Sequence, residues 1–134
     1  MTKLADIEGI GAHYAEKLTA VGIDSQQGLL KQCGDRKSRQ DAAARTGISE
    51  KLILKWVNRA DLARIKGIST QYADLLEVAG VDSVPELGQR KPDNLLARMQ
   101  DVNDERQLVR QVPSLSQVED WVTQAKVLPK AVHH

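Results

Sequence analysis

The chain has 134 residues, of which 28% are charged and only 3% aromatic, with no Phe. Nineteen basic and 18 acidic side chains leave a formal charge of +1, which excludes the broad electrostatic footprint of a strongly basic nucleic-acid binder but leaves room for a local one. A single cysteine excludes an intrachain disulfide and a cysteine-rich zinc site, and no apolar run reaches membrane-spanning length.

This length suits one domain with a buried core. With so few aromatics the core must rest on Leu, Ile, Val and Ala, with Trp56, Trp121, Tyr14 and Tyr72 as large fillers. The N-terminus lacks the charged-then-apolar layout of a signal peptide, so a cytoplasmic location is expected.

The first predicted element is a tight turn, Gly9-Ile10-Gly11. Two residues are free to take positive φ, and one apolar side chain between them points inward. A helix is predicted from about Ala12 to Val21, because Tyr14, Leu18 and Val21 share one face with Ala15 beside them. Gly22 suits a left-handed C-terminal cap. Asp24 or Ser25 then caps a short helix that carries Leu29 and Leu30 and stops at Gly34. After the charged run Asp35-Arg36-Lys37-Ser38-Arg39 comes a helix around Gln40–Thr46. Gly47 breaks it, and Ser49 caps a longer helix to about Asn58.

From Ile65 the opening returns. Ile7 to Ser25 is echoed by Ile65 to Ser83 at a constant offset of 58 residues, and the retained residues are of core and turn type. Pro85 sits where a helix start tolerates it, Leu87 holds the apolar place, and Pro92 opens a helix with Leu95, Leu96 and Met99. Ser114 and Gln117 have capping-box spacing for a last helix carrying Val118, Trp121, Val122 and Ala125. Trp56-Val57 and Trp121-Val122 form a matched pair, but their offset is 65. The second copy thus carries about seven extra residues, placed by this reading in the polar stretch Asn103–Gln107. Pro129 ends the ordered helix, and residues 129–134 read as a tail whose closing His133 and His134 carry no functional weight.

The Gly9–Leu18 stretch resembles the helix-hairpin-helix motif of DNA repair and recombination proteins, with Gly9, Ile10, Gly11, Ala15 and Leu18 on its fixed places. In the second copy Gly67, Ile68, Ala73 and Leu76 correspond, and Ser69 replaces the second glycine. The similarity extends further. Residues 47–57, together with Leu108–Leu115 and Val118–Val122, resemble a bacterial family catalogued as domain of unknown function 4332, with two degenerate helix-hairpin-helix units. That resemblance covers nearly the whole chain and implies an all-helical fold and no established activity.

The expected architecture is all-α: tandem helix-hairpin-helix-like repeats packed as one compact domain, residues 1–128, with approximate two-fold pseudo-symmetry. Repeat one spans about 1–60 and repeat two about 61–128.

The candidate chemistry lies in the two hairpins. Backbone N–H groups of a Gly-x-Gly turn that leads into a helix can face an anion such as a phosphate. Gly9, Ile10 and Gly11 form the first such turn, and His13 and Lys17, one helical turn apart, add contacts. Lys66, Gly67 and Ser69 form the second, where Ser69 still offers an N–H and a hydroxyl. The bland alternative is that each hairpin only joins two packed helices. A phage-repressor-type helix-turn-helix also overlaps the first copy at Ala43, Gly47, Ile48, Ile53 and Trp56. It would expose Glu50, Lys51, Leu54, Lys55 and Asn58, but packing favours burial of most apolar residues there. Arg36, Lys37 and Arg39 form a short basic cluster, read by default as a solvated loop. No nucleophile, acid–base pair or metal-ligand set stands at telling spacing, so the expected protein is not an enzyme and needs no cofactor or metal. Two partner classes follow: DNA or RNA backbone, held weakly and without sequence reading, or another protein held by an adaptor with structural hairpins.

Overall fold

The computed structural model describes Leu4 and residues 10–132, apart from the Thr70 side chain. The described residues form eight helices and no strand. They are α1 (Gly11–Ala20), α2 (Gln26–Cys33), α3 (Arg36–Thr46), α4 (Glu50–Leu62), α5 (Thr70–Val78), α6 (Val84–Gly88), α7 (Pro92–Arg106) and α8 (Leu115–Val127). None of them is long and apolar enough to cross a membrane.

Two compact units divide the chain: Met1–Asp61 with Ala131–His134, and Leu62–Lys130. Each has its own apolar cluster. In the first unit Leu18, Leu29, Ile53 and Val57 are fully buried around Trp56. In the second, Leu75, Leu76, Leu87, Met99 and Val118 surround Trp121. Val132, in the segment read as a tail, is 2% exposed and belongs to the first cluster. Burying a Val side chain stabilises by about 1.5–3 kcal/mol, enough to hold a short segment down.

Local signals explain most helix ends. Ser25 accepts a hydrogen bond from Gly28 N–H at 3.0 Å and starts α2. Ser114 and Gln117 make a complete capping box at the start of α8. α1 ends in a Schellman motif: Ile23 N–H donates to Leu18 C=O at 2.9 Å and Gly22 N–H to Thr19 C=O at 3.0 Å, with Gly22 at φ +88°. The end of α5 repeats this 58 residues later. Val81 donates to Leu76 at 2.8 Å and Gly80 to Glu77 at 3.0 Å, with Gly80 at φ +101°. A side chain ten residues on then takes each glycine carbonyl: Gln32 Nε2 donates to Gly22 O, and Arg90 Nη2 donates to Gly80 O.

Two expectations need correction. α3 begins at Arg36, not Gln40, because the Asp35 carboxylate accepts from Ser38 N–H at 2.7 Å and caps the helix four residues earlier. Arg36, Lys37 and Arg39 therefore lie on a helix, not a loop. Asn103–Arg106 is likewise the last turn of α7, and Gln107 caps it in the left-handed region at φ 52°. The extra residues fall mostly beyond it. α7 runs two residues past the place that matches the end of α3, and residues 107–114 connect α7 to α8 where residues 47–49 connect α3 to α4.

Candidate nucleic-acid interface

At the first turn, Ile10 is 2% exposed and joins the apolar cluster, which fixes the turn on the core. Gly11 opens α1 at φ +65°, a left-handed conformation that an L side chain adopts only at a cost. A Cβ on Gly11 would meet nothing within 4 Å. α1 has no side-chain cap and no acidic residue in its first turn. Its first N–H groups have no acceptor inside the helix and carry the positive end of the helix dipole. His13 and Lys17 are exposed on the same helix, and neither has a hydrogen-bond or ion-pair partner among the described residues. Tyr14, a bulky neighbour of the turn, packs inward on Trp56 with ring centroids 5.1 Å apart. Gly9 lies outside the described residues.

The second turn keeps the apolar plug, since Ile68 is 6% exposed. Its polar groups are used differently. Lys66 N–H donates to Gln124 Oε1 at 2.9 Å, and Gln124 Nε2 donates back to Lys66 C=O at 3.1 Å. Gly67, at φ +97°, lies so close to Trp121 that a Cβ there would sit 2.9 Å from its Nε1. The Ser69 hydroxyl accepts from Tyr72 N–H at 3.2 Å and caps α5. Tyr72 packs on Trp121 at 5.4 Å, and its hydroxyl donates to Gln111 C=O at 3.1 Å. Gln111 belongs to the longer α7–α8 connection, so the extra residues fold back beside this turn. There they shape a polar groove of about 690 Å³ between Ser69, Gln71 and Tyr72 on one side and residues 107–111 on the other. Its only charges are those of Asp104 and Arg110.

The sequence names the turn residues but not their partners. Gln124 is a polar helix residue with nothing to distinguish it, and the Gln111 carbonyl has no sequence signature. Asp35 is a preferred N-cap residue type, but the charged run around it gives no second signal of a helix start.

The helix-turn-helix pattern maps onto α3, Gly47 at φ +76° and α4. Glu50, Lys51 and Lys55 are exposed and Leu54 is half-buried. Asn58, expected on the exposed face, is only 7% exposed, which removes it from any reading face. Ile53, Trp56 and Val57 are buried, as packing required.

Cys33 is fully buried, and burial pushes its thiol above the ordinary value, with Arg39 lowering and Asp35 raising it further. A buried neutral thiol is a packing group, not a nucleophile. No group of three or more His, Cys, Asp or Glu among the described residues is placed to hold a metal.

Residues 8–128 match the sequence profile of the family described as Domain of unknown function (DUF4332), and the chain belongs to that family. No curated protein and no solved structure matches the chain.

Proposed function

We propose that this chain is a non-enzymatic binding module that holds the backbone of DNA or RNA weakly, without reading sequence, through the turn that opens α1. The observation that carries this reading is Gly11: exposed, at positive φ, in open space, and leading an uncapped helix. A phosphate oxygen can approach such a turn closely because no side chain intervenes. Lys17, nearly two turns along α1, is exposed and has no ion-pair partner among the described residues. The helix-hairpin-helix resemblance and a cytoplasmic location belong to the same reading. Of the two turns, the first carries it, since in the second the Lys66 N–H donates to Gln124 and the Ser69 hydroxyl accepts from Tyr72 N–H, both inside the unit.

The test is an anisotropy titration of duplex and single-stranded oligonucleotides at low salt. Binding should weaken steeply with salt, with a slope of about −0.9 per phosphate on duplex. Gly11→Ala and Lys17→Glu should each reduce it while helical content stays the same. No binding at tens of micromolar protein, or binding untouched by both variants, would defeat the reading.

One observation favours the adaptor alternative. On the second unit Leu115 and Val127 are 41% and 80% exposed, and Leu115 lines a groove of about 460 Å³ with Pro92 and Val122. An adaptor would show no salt-sensitive nucleic-acid binding and would lose its protein partner on Leu115→Asp.

A further inference from the structure

We propose that the notch between α3 and α4 is a second phosphodiester contact point, on the same unit as the open first turn. This rests on the nucleic-acid reading above. The notch measures about 320 Å³ and is lined by Arg36, Arg39, Glu50, Lys51 and Leu54. That is roughly ten times the ~30 Å³ share of a liquid water, enough for a phosphate and part of its sugar. Three cations and one carboxylate surround it, and none of Arg36, Lys51 and Glu50 has a hydrogen-bond or ion-pair partner among the described residues.

The three cations differ in role. Arg39 is 4% exposed, and its Nη1 donates to Cys33 C=O at 3.1 Å and Gly34 C=O at 3.0 Å. It forms a fixed wall that closes the end of α2. Arg36 and Lys51 are exposed and stand in the first turns of α3 and α4, free to reach a ligand. Glu50 has its own explanation, since an acid at a helix start is favoured by the dipole. Half-buried Leu54 gives the notch an apolar surface on which a sugar can rest.

Charge distribution favours a polyanion over a neutral partner. The first unit carries ten basic and eight acidic side chains, the second nine and ten. Residues 35–61 alone hold seven basic and four acidic side chains; Asp41 and Arg45 pair at 3.8 Å, and Arg39 and Arg59 are buried. Lys37 and Lys55, exposed on the same two helices, add to the positive charge of this segment. A polymer with evenly spaced phosphates suits a strip of cations better than a single anion does.

The experiment compares the full chain with Arg36→Glu/Lys51→Glu and with a charge-matched control on the second unit, Lys91→Glu/Arg98→Glu. All four positions are exposed. Glu in the first turn of a helix is dipole-favoured, so the notch variant should keep its fold, checked by thermal melting. Anisotropy is read with a duplex oligonucleotide across a salt series. The notch variant should lose on the order of tenfold in affinity at low salt, and its slope should fall by about 0.9 for each lost contact. The control should change much less. Equal losses in both variants, or none in either, would overturn the notch while leaving the first turn standing. Absence of wild-type binding would overturn both. Full displacement by inorganic phosphate at matched ionic strength would assign the notch to free phosphate. Equal competition by a Glu-rich peptide of the same charge would assign it to an acidic protein segment. Either result ends the proposal. If the notch variant melts early, Arg36→Gln/Lys51→Gln replaces it, and an unchanged slope counts against the notch.

Discussion

The turn before α1 holds Gly11 in open space, whereas the turn before α5 holds Gly67 against the indole of Trp121. Both turns bury an isoleucine, Ile10 or Ile68, and both precede a helix that ends in a Schellman motif. The backbone donors are what differ. Gln124, Ser69 and the α7–α8 connection take up the polar groups around the second turn. At the first turn the residues matching Lys66 and Gly67, Glu8 and Gly9, lie outside the described residues, and Gly11 stands where Ser69 caps α5, so α1 has no side-chain cap. Two stretches with similar residues thus differ at their described positions, because a turn's free groups depend on what lies opposite the turn. The residues opposite come from distant parts of the chain, 58 positions on in the case of Lys66 and Gln124.

Truncating the tryptophans tests the comparison hardest. Trp56 and Trp121 are each 1% exposed, and each stacks on the tyrosine of its own unit. Trp→Ala at either site should cost about 3–5 kcal/mol, the range for large buried aromatics. Trp121→Ala should also loosen the second turn, because Gly67 rests on that ring. Denaturant unfolding gives the stability, and amide exchange at residues 66–69 gives the loosening. Unchanged protection there would show that the turn does not depend on the indole.

The glycines come next. Gly67→Ala must place a Cβ 2.9 Å from Trp121 Nε1 at φ +97°. Overpacking typically costs about 1–3 kcal/mol, and the left-handed backbone about 1–2 more, so a loss of about 2–5 kcal/mol is expected. Gly11→Ala meets only the backbone penalty, about 1–2 kcal/mol. The ranking should invert in the binding assay, where Gly11→Ala does the greater harm. Equal stability losses would mean that the indole yields freely and the second turn is not closed in the way described.

How much of this was legible depended on how local each cause was. The Schellman glycines, the Ser114–Gln117 capping box and the buried tryptophans were readable because each depends on residues a few positions apart or on size and hydrophobicity alone. The eight-helix, strand-free pattern followed from the same local signals. The start of α3 is not legible because the run of charges after Asp35 hides its cap. The offset of the tryptophans implies about seven extra residues, but the polar stretch expected to hold them is mostly the end of α7, and the long connection is residues 107–114. There Leu108, Val109 and Val112 pack against the second cluster while Gln107, Arg110, Gln111 and Ser114 stay exposed, so the connection is anchored at its apolar positions. The site was legible as a list of turn residues only. Nothing local announces that the Gln124 amide grips Lys66 through both its N–H and its C=O.

The smallest expected effect isolates the insertion itself. Tyr72 and Tyr14 occupy matching places, pack on matching tryptophans and differ in one contact: the Tyr72 hydroxyl donates to Gln111 C=O at 3.1 Å, and the Tyr14 hydroxyl has no hydrogen-bond partner among the described residues. Tyr→Phe removes only that hydroxyl and leaves the ring contact intact. An exposed neutral hydrogen bond is worth about 0.5–1 kcal/mol net, since water replaces part of it. Tyr72→Phe should therefore cost about 0.5 kcal/mol, and Tyr14→Phe nothing measurable. Amide exchange sharpens so small a difference. With its tether cut, residues 107–111 should lose protection while the apolar cluster around Trp121 keeps it. If both substitutions were silent, in stability and in exchange, the connection would be held by Leu108, Val109 and Val112 alone. The contrast between the turns would then rest on Gln124, Ser69 and Trp121, and Gln124→Ala would become the variant that decides it.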